Sequence, residues 1–304
     1  MTPRVTVVVL SWNGTEETLA CLRSLSEATY SALSAVVVDN DSTDDVAAAI
    51  AKTFPDVRVI RLDENRGFSG GVNAGLEAAL AGDADHVLLL NNDAIVEPGF
   101  LEPLVAAASE PGVGAVSSQI LHSDPPHVVW YAGASYDPRR GHQGRHEHYG
   151  EPRLPASAPP YATDRACGGA MLVPRAAAEL VGGLDDDLFA YAEDVDWSMR
   201  ARAAGLSILV VPASVVYHSV SAASGGASSP STLYYALRNG IVVAERYAPK
   251  GAIGTWARRA VATGAVAVQA LLSRDRIGGL RAVASGLADA VRGRLGQRPI
   301  SRSA

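Results

Sequence analysis

Cysteine is nearly absent from the 304-residue chain: only Cys21 and Cys167 occur, far apart. Neither lies in a metal-type or redox-type spacing. A disulfide-stapled scaffold is therefore excluded, and a reducing, cytoplasmic compartment is the expectation. Long apolar runs are missing too. No stretch reaches the ~18 uninterrupted apolar residues of a membrane span, and the weakly apolar run from Ala260 to Leu272 contains Thr263 and Gln269. The short apolar run at residues 5–10 leads into Trp12-Asn13-Gly14, which reads as a first strand with its turn and not as a signal peptide. A third absence is a G-x-G-x-x-G fingerprint after that strand, which argues against a nicotinamide-dependent oxidoreductase.

Charge is unevenly distributed. Residues 1–245 hold 15 Lys+Arg against 30 Asp+Glu, a net of −15, whereas residues 246–304 hold 11 against 2, a net of +9. The acidic body gives no reason to expect a nucleic-acid partner. The basic tail is expected to meet something anionic: a membrane surface, or the acidic body itself, with a homodimer contact as the competing role.

What is present reads as alternating strands and helices. Val5-Thr6-Val7-Val8-Val9-Leu10 is a β-branched central strand, followed by a helix capped by Thr15, opened by Glu16 and Glu17 and faced by Leu19, Leu22 and Leu25. Ala35 to Val38 is a second strand, with a helix over about 44–53 capped by Ser42 or Thr43. Val57 to Ile60 is a third, before a helix from Ser69 to Leu80. Val87-Leu88-Leu89-Leu90 is a fourth, buried on both faces, and it ends in Asn91-Asn92-Asp93 before Pro98 turns the chain. This alternation predicts a parallel, doubly wound sheet with right-handed crossovers. The strands deliver Asn13, Asp39, Asn65 and Asp93 to one edge, where open α/β sheets bind ligands.

A fifth strand is expected at Val113 to Ser117. Residues 122–165 then form a long, proline-rich insertion with five of the seven histidines (His122, His127, His142, His146 and His148) and Trp130, Tyr131, Tyr136 and Tyr149. Such an insertion in a compact domain is usually functional. His142, His146 and His148 could ligate zinc, but no cysteine or acid completes the set, and an acceptor-facing loop with aromatic platforms is the preferred reading. Gly168-Gly169 leads into another strand, and Glu193-Asp194 opens a helix in which Asp196 and Arg200 are four apart. Leu206 to Val211 is a further strand, with Val215 to His218 beyond it. Residues 221–231 read as a Ser/Gly/Ala-rich loop. The tail reads as two helices broken near Ser273-Arg274-Asp275, the second basic and amphipathic through Ile277, Leu280, Val283, Ala284, Leu287 and Val291.

Taken in order, these motifs resemble those of family 2 glycosyltransferases, most closely the rhamnosyltransferase-type branch. The matching stretches are Val8-Val9-Leu10-Ser11-Trp12-Asn13-Gly14, Val38-Asp39-Asn40-x-Ser42, Glu64-Asn65-x-Gly67-Phe68-x-Gly70-Gly71-x-Asn73, Leu90-Asn91-Asn92-Asp93, Gly168-Gly169-Ala170, Glu193-Asp194-x-Asp196-Trp197 and His218. The resemblance covers about residues 4–240. It implies a GT-A fold: a Rossmann-like, mostly parallel sheet flanked by helices, here with a C-terminal helical extension. Residues 1–120 would be the nucleotide-sugar half, 121–245 the acceptor and catalytic half, and 246–304 the basic tail.

The resemblance also implies roles. Ser11, Trp12, Asn13, Asp39, Asn40, Asn65, Gly67, Phe68, Gly71, Asn73, Asn91 and Asn92 would bind a dTDP- or UDP-linked sugar, with Asp39 accepting the imide N–H of the base. Asp93 stands where many relatives have an Asp-x-Asp, so it is the carboxylate left for Mn2+ or Mg2+, with His218 as second ligand. Asp194 would be the base of an inverting transfer, supported by Glu193, with Trp130, Trp197 and Arg200 at the acceptor site. The acceptor would be a lipid-linked cell-envelope glycan or a small molecule. The replaced first acid leaves one rival reading, a non-catalytic nucleotide-sugar-binding accessory subunit of a glycan assembly complex.

Overall fold

The computed structural model describes residues 2–140, 144–219 and 228–298. Twelve strands are named within them: β1 (Val5–Ser11), β2 (Leu33–Asp39), β3 (Arg58–Arg61), β4 (His86–Asn91), β5 (Ala94–Val96), β6 (Val113–His122), β7 (Val129–Tyr131), β8 (Ala134–Ser135), β9 (Arg145–His146), β10 (Tyr161–Ala162), β11 (Ala170–Pro174) and β12 (Ser207–His218). The helices are α1 (Thr15–Ser26), α2 (Val46–Thr53), α3 (Gly67–Ala81), α4 (Leu101–Ala108), α5 (Arg175–Val181), α6 (Glu193–Ala203), α7 (Pro230–Tyr247), α8 (Ala252–Leu272) and α9 (Arg276–Arg292).

The main sheet runs β10-β12-β6-β11-β4-β1-β2-β3, with β5 on β12 and β7 on β6. Strands β4, β1, β2 and β3 are parallel, as the alternating pattern predicts, and β11 enters antiparallel between β4 and β6. Both faces are covered, and the period of two in each strand sorts the side chains between them. Val7, Val9, Leu88 and Leu90 pack with α1, α2 and α4, while Val8, Val87 and Leu89 pack with α3, α5 and α6.

The departures from the sequence reading are local. The α1 cap is Gly14, because the Thr15 hydroxyl is turned to Asp44 Oδ2 at 2.5 Å; α2 is capped by Asp45, which accepts from Ala48 N. Strand β6 extends to His122, and β12 is one strand carrying a bulge between Val211 and Val215, where Pro212 is tolerated. The expected boundary at residue 245 falls inside α7. That helix packs against α8 and α9, so the C-terminal helical unit begins at Pro230. The α9 stripe expected to be one apolar face is split: Val283 and Leu287 face inward beside Gly279, Gly286 and Ala290, while Ile277, Leu280, Ala284 and Val291 are outside.

Helix α7 also fixes the segment before α6. Asn239 donates through Nδ2 to the carbonyls of Leu188, Ala190 and Tyr191, and buried Arg238 donates to the Leu188 carbonyl at 3.0 Å. In that segment Phe189, Tyr191 and Ala192 have φ of 64, 69 and 69°, so three non-glycine residues are held in the left-handed region. From the other side, Ser69 N donates to the Phe189 carbonyl, and a Cβ on Gly67 would strike that carbonyl and ring. Strained backbone clamped from two sides places the start of α6.

Candidate active site

Strand β4 ends among the carboxyl ends of its parallel neighbours, and its last residues turn towards β12. Asp93 Oδ1 lies 2.9 Å from His218 Nε2, both side chains nearly buried, and Asn91 Nδ2 lies 3.1 Å from the same nitrogen. His218 Nδ1 is buried and, among the described residues, has no hydrogen-bond partner. Asn92 instead faces α1, donating to Thr18 Oγ1 at 3.2 Å. Among the described residues no three His, Cys, Asp or Glu side chains gather as a complete metal cage. One carboxylate beside one imidazole still fits a Mn2+ or Mg2+ ion whose other positions are filled by diphosphate and water oxygens.

The second group is built on the start of α6. Asp194 Oδ2 accepts from Arg165 Nη1 at 2.8 Å and from Gly168 N at 3.3 Å, and Oδ1 accepts from Val195 N at 2.7 Å. Arg165 is buried. Its Nη2 donates to His146 Nε2 at 2.6 Å, and His146 Nδ1 in turn donates to the Trp130 carbonyl at 3.0 Å. Burial first, and the Arg165 charge second, hold the His146 imidazole below its usual pKa, so it is the neutral acceptor these bonds require. Glu193 is buried, with Oε2 unpartnered among the described residues; desolvation, then the Asp194 charge, push its carboxyl up to about 8. The neighbouring acids thus differ: Asp194 is held by charge-assisted bonds, and Glu193 is protonated at neutral pH.

The two groups meet across the Gly168-Gly169 turn. A Cβ on Gly168 would sit 3.4 Å from the Phe68 ring and 3.7 Å from Asp194 Cβ, while one on Gly169 would sit 3.4 Å from Asn91 Nδ2. Trp130 completes the wall, its ring centroid 5.0 Å from that of His218 and 5.4 Å from that of His146.

On the β1–β3 side the expected nucleotide residues are interlocked. Ser11 is buried with its hydroxyl 2.9 Å from Thr18 Oγ1, Trp12 is 41% exposed, and Asn13, at φ 51°, accepts through Oδ1 from Thr43 N at 2.7 Å. The Asp39 carboxylate is fully buried: Oδ1 accepts from Ser42 N, and Oδ2 from Arg61 Nη1 at 3.0 Å. Asn40 joins Asn65 Oδ1, the Gly67 carbonyl and Arg66 N. Asn73 exchanges two bonds with the Leu184 backbone and donates to Asp186. Gly71 lets α3 settle on β1, since a Cβ there would strike Leu10.

Two expected acceptor-site residues lie elsewhere. Trp197 is core, its Nε1 donating to the Gly182 carbonyl at 2.8 Å, and Arg200 bonds Asp196 and the Val181 and Gly183 carbonyls. Both side chains are consumed by holding α6 against α5 and its following turn. The expected zinc trio is not assembled: His142 lies outside the described residues, His146 serves Arg165, and His148 pairs with Glu151 at 2.8 Å. Residues 221–227 of the expected loop also lie outside them. Arg61 and Arg165 were missed by the sequence reading. Only the position of Arg165, just ahead of the Gly168-Gly169 turn, hinted at it.

Comparison with known proteins gives a consistent picture. Residues 6–181 match the family described as Glycosyl transferase family 2. The N-acetylglucosaminyl-diphospho-decaprenol L-rhamnosyltransferase of Mycobacterium tuberculosis is 33% identical over 240 residues, 72% of this chain and 77% of that protein. The O-antigen biosynthesis protein RfbC of Myxococcus xanthus is 26% identical over 77% of this chain, which spans only 19% of that longer protein. Among solved structures, the mannosyltransferase PcManGT from Pyrobaculum calidifontis, in complex with GDP-Man and Mn2+, superposes with a TM-score of 0.58 at 22% identity, covering 98% of this chain and 77% of that one. GalNAc-T7 with UDP, GalNAc and Mn2+ gives 0.59 at 20% identity over 79% of this chain and 48% of that one. At those identities the structures speak for the fold alone, which is that of GT-A glycosyltransferases.

Proposed function

The chain belongs to glycosyl transferase family 2, and from that premise we propose that it transfers rhamnose from dTDP-rhamnose, or failing that a UDP-linked sugar, to a hydroxyl of a lipid-linked cell-envelope glycan, with inversion. The donor and acceptor classes follow the printed name of the mycobacterial relative. One observation carries the mechanism: the Asp93–His218 pair and the Asp194 carboxylate flank the same two-glycine turn. A sugar diphosphate laid over that turn has its phosphates beside Asp93 and its anomeric carbon towards Asp194.

Asp194 is the base. An ionised carboxylate offers about four lone-pair sites, and Arg165, Gly168 and Val195 take three. The fourth receives the acceptor hydroxyl's proton as its oxygen attacks the anomeric carbon and the bond to the diphosphate breaks, the electron pair leaving with the phosphate oxygen. Protonated Glu193 adds no second negative charge beside that base. Asp93 and His218 would hold the divalent cation, which supplies charge neutralisation at the departing diphosphate. Asn91 and Trp130 order the space between, and Trp12 offers an open ring to the nucleoside. The accessory-subunit reading loses ground to the buried Arg165–Asp194 pair, since desolvating both charges costs stability that a mere binder has no reason to bear. Among the described residues no helix is long and apolar enough to cross a membrane; we place the reaction in the cytoplasm, at the membrane's inner face.

The test is Asp194→Asn assayed against a panel of nucleotide sugars. Turnover is expected to fall by at least ~10² while the thermal shift given by the preferred donor persists. Near-normal turnover in that variant removes Asp194 as the base.

A further inference from the structure

Helix α8 leaves an apolar face bare. It runs 21 residues, about 30 Å at 1.5 Å per residue. Ile253, Trp256, Ala257, Ala260, Val261, Gly264, Ala265, Val268, Leu271 and Leu272 are all exposed and fall on one arc covering roughly half its circumference. Ile253 is 89%, Trp256 61% and Leu272 82% exposed. No charged side chain interrupts the arc. The two arginines of the helix lie outside the arc, Arg258 buried and Arg259 paired with Glu245 at 2.7 Å, with the Arg259 guanidinium 5.1 Å from the Trp256 ring centroid at the edge of the face. Where α8 turns into α9, Ile277, 67% exposed, extends the patch.

Cations frame this face. Lys250 precedes it, and Arg274, Arg276 and Arg281 follow; all are exposed, and among the described residues none of them is ion-paired. The one acid at that end, Asp275, is occupied capping Gly278 N at 2.9 Å. An apolar stripe bounded by arginines, with an aromatic ring near one end, matches the interfacial region of an anionic bilayer. A second copy fits poorly, because a two-fold contact through α8 would bring these same cations towards each other.

We propose that α8, and not the more basic α9, is the membrane-contacting element, lying in the plane of an anionic lipid surface with its Ile253–Leu272 face in the acyl boundary. The helix is also tied to the site's insertion: the turn Pro138–Arg140, in the segment that supplies Trp130 and His146, packs on α7 and α8. Lipid binding at this face does not depend on the catalytic reading.

Flotation of the intact protein with phosphatidylglycerol–phosphatidylcholine vesicles tests it, pure phosphatidylcholine being the control. The wild type should float with anionic vesicles at low salt and be released at high salt. Val261→Asp with Leu272→Asp should lower the bound fraction by about tenfold at every salt concentration, with an unchanged melting temperature because both positions are exposed. If the double variant melts early, Leu272→Asp alone carries the same test. Arg274→Ala with Arg276→Ala and Arg281→Ala should weaken binding and flatten its salt dependence. Failure of the wild type to float at low salt overturns the proposal. So does wild-type flotation of the face variants, or a lipid-free dimer that those variants turn into monomer.

Discussion

On the β1–β3 side of the cleft, polar side chains bind one another. Asn40 and Asn65 tie two strand ends together, Asn73 holds the turn before α6, and Asp39 is closed over by Arg61. On the β4–β12 side, three buried atoms of the candidate site have no hydrogen-bond partner among the described residues, Glu193 Oε2, His218 Nδ1 and Arg165 Nε; on the first side Asp44 Oδ1 and Ser69 Oγ share that state. The first side is held chiefly by amides that fix its loops. The second gathers its unpartnered atoms around the Arg165–Asp194 ion pair, an arrangement that marks a candidate functional site. Residues of the same polar types therefore do different work a few residues apart.

The comparison can be broken most severely at Arg165. Arg165→Ala leaves Asp194 buried without its counter-charge, and unfolding in denaturant should show a loss of about 3–5 kcal/mol along with activity. On the same side, Asp93→Ala should abolish turnover and cation-dependent donor binding, with His218→Ala milder because a water can replace an imidazole. Full activity in excess chelator would sink the metal assignment. On the first side, Asn73→Ala should cost about 2 kcal/mol of stability while kcat at saturating donor stays close to wild type. A loss of kcat with stability intact would erase the distinction drawn here.

The smallest effect is a pH dependence. The Glu193 carboxyl is raised from an ordinary 4.5 to about 8, so the folded chain keeps a proton that the unfolded chain releases. This contribution is complete below the unfolded value and is lost as pH rises through the folded one. Glu193→Gln should remove that fall, so the variant's melting temperature relative to wild type should increase between pH about 5 and about 9.

What was legible in the sequence was whatever a period or a strand end announces. The apolar runs of β1, β2 and β4 and their polar termini declared the sheet and the edge where the candidate site lies, and Asp93, Asp194 and His218, expected from their motif positions, lie about the Gly168-Gly169 turn. The caps were misassigned because Thr15, Ser42 and Thr43 found partners across loops, a tertiary competition no local rule contains. Trp197 and Arg200 were misplaced because a helix with Asp194 on one face carries its packing residues on another, and spacing alone does not say which faces out. Arg165 was invisible because it lies in an aperiodic segment and acts through partners 19 and 29 residues away.

Strand β11 has a consequence of its own. Because it runs antiparallel between β4 and β6, its first residue Ala170 pairs with Leu90 at the same edge where β6 ends at His122. The segment joining them leaves and returns at a single rim, so its span is not fixed by the thickness of the sheet. Added length in its outer turns would leave Asp93 in place, whereas exchanging it whole would remove Arg165 and Gly168, the partners of Asp194. In evolutionary terms that rim is a partial socket: its outer turns are free to vary in length, while Arg165 and Gly168 tie its inner end to Asp194.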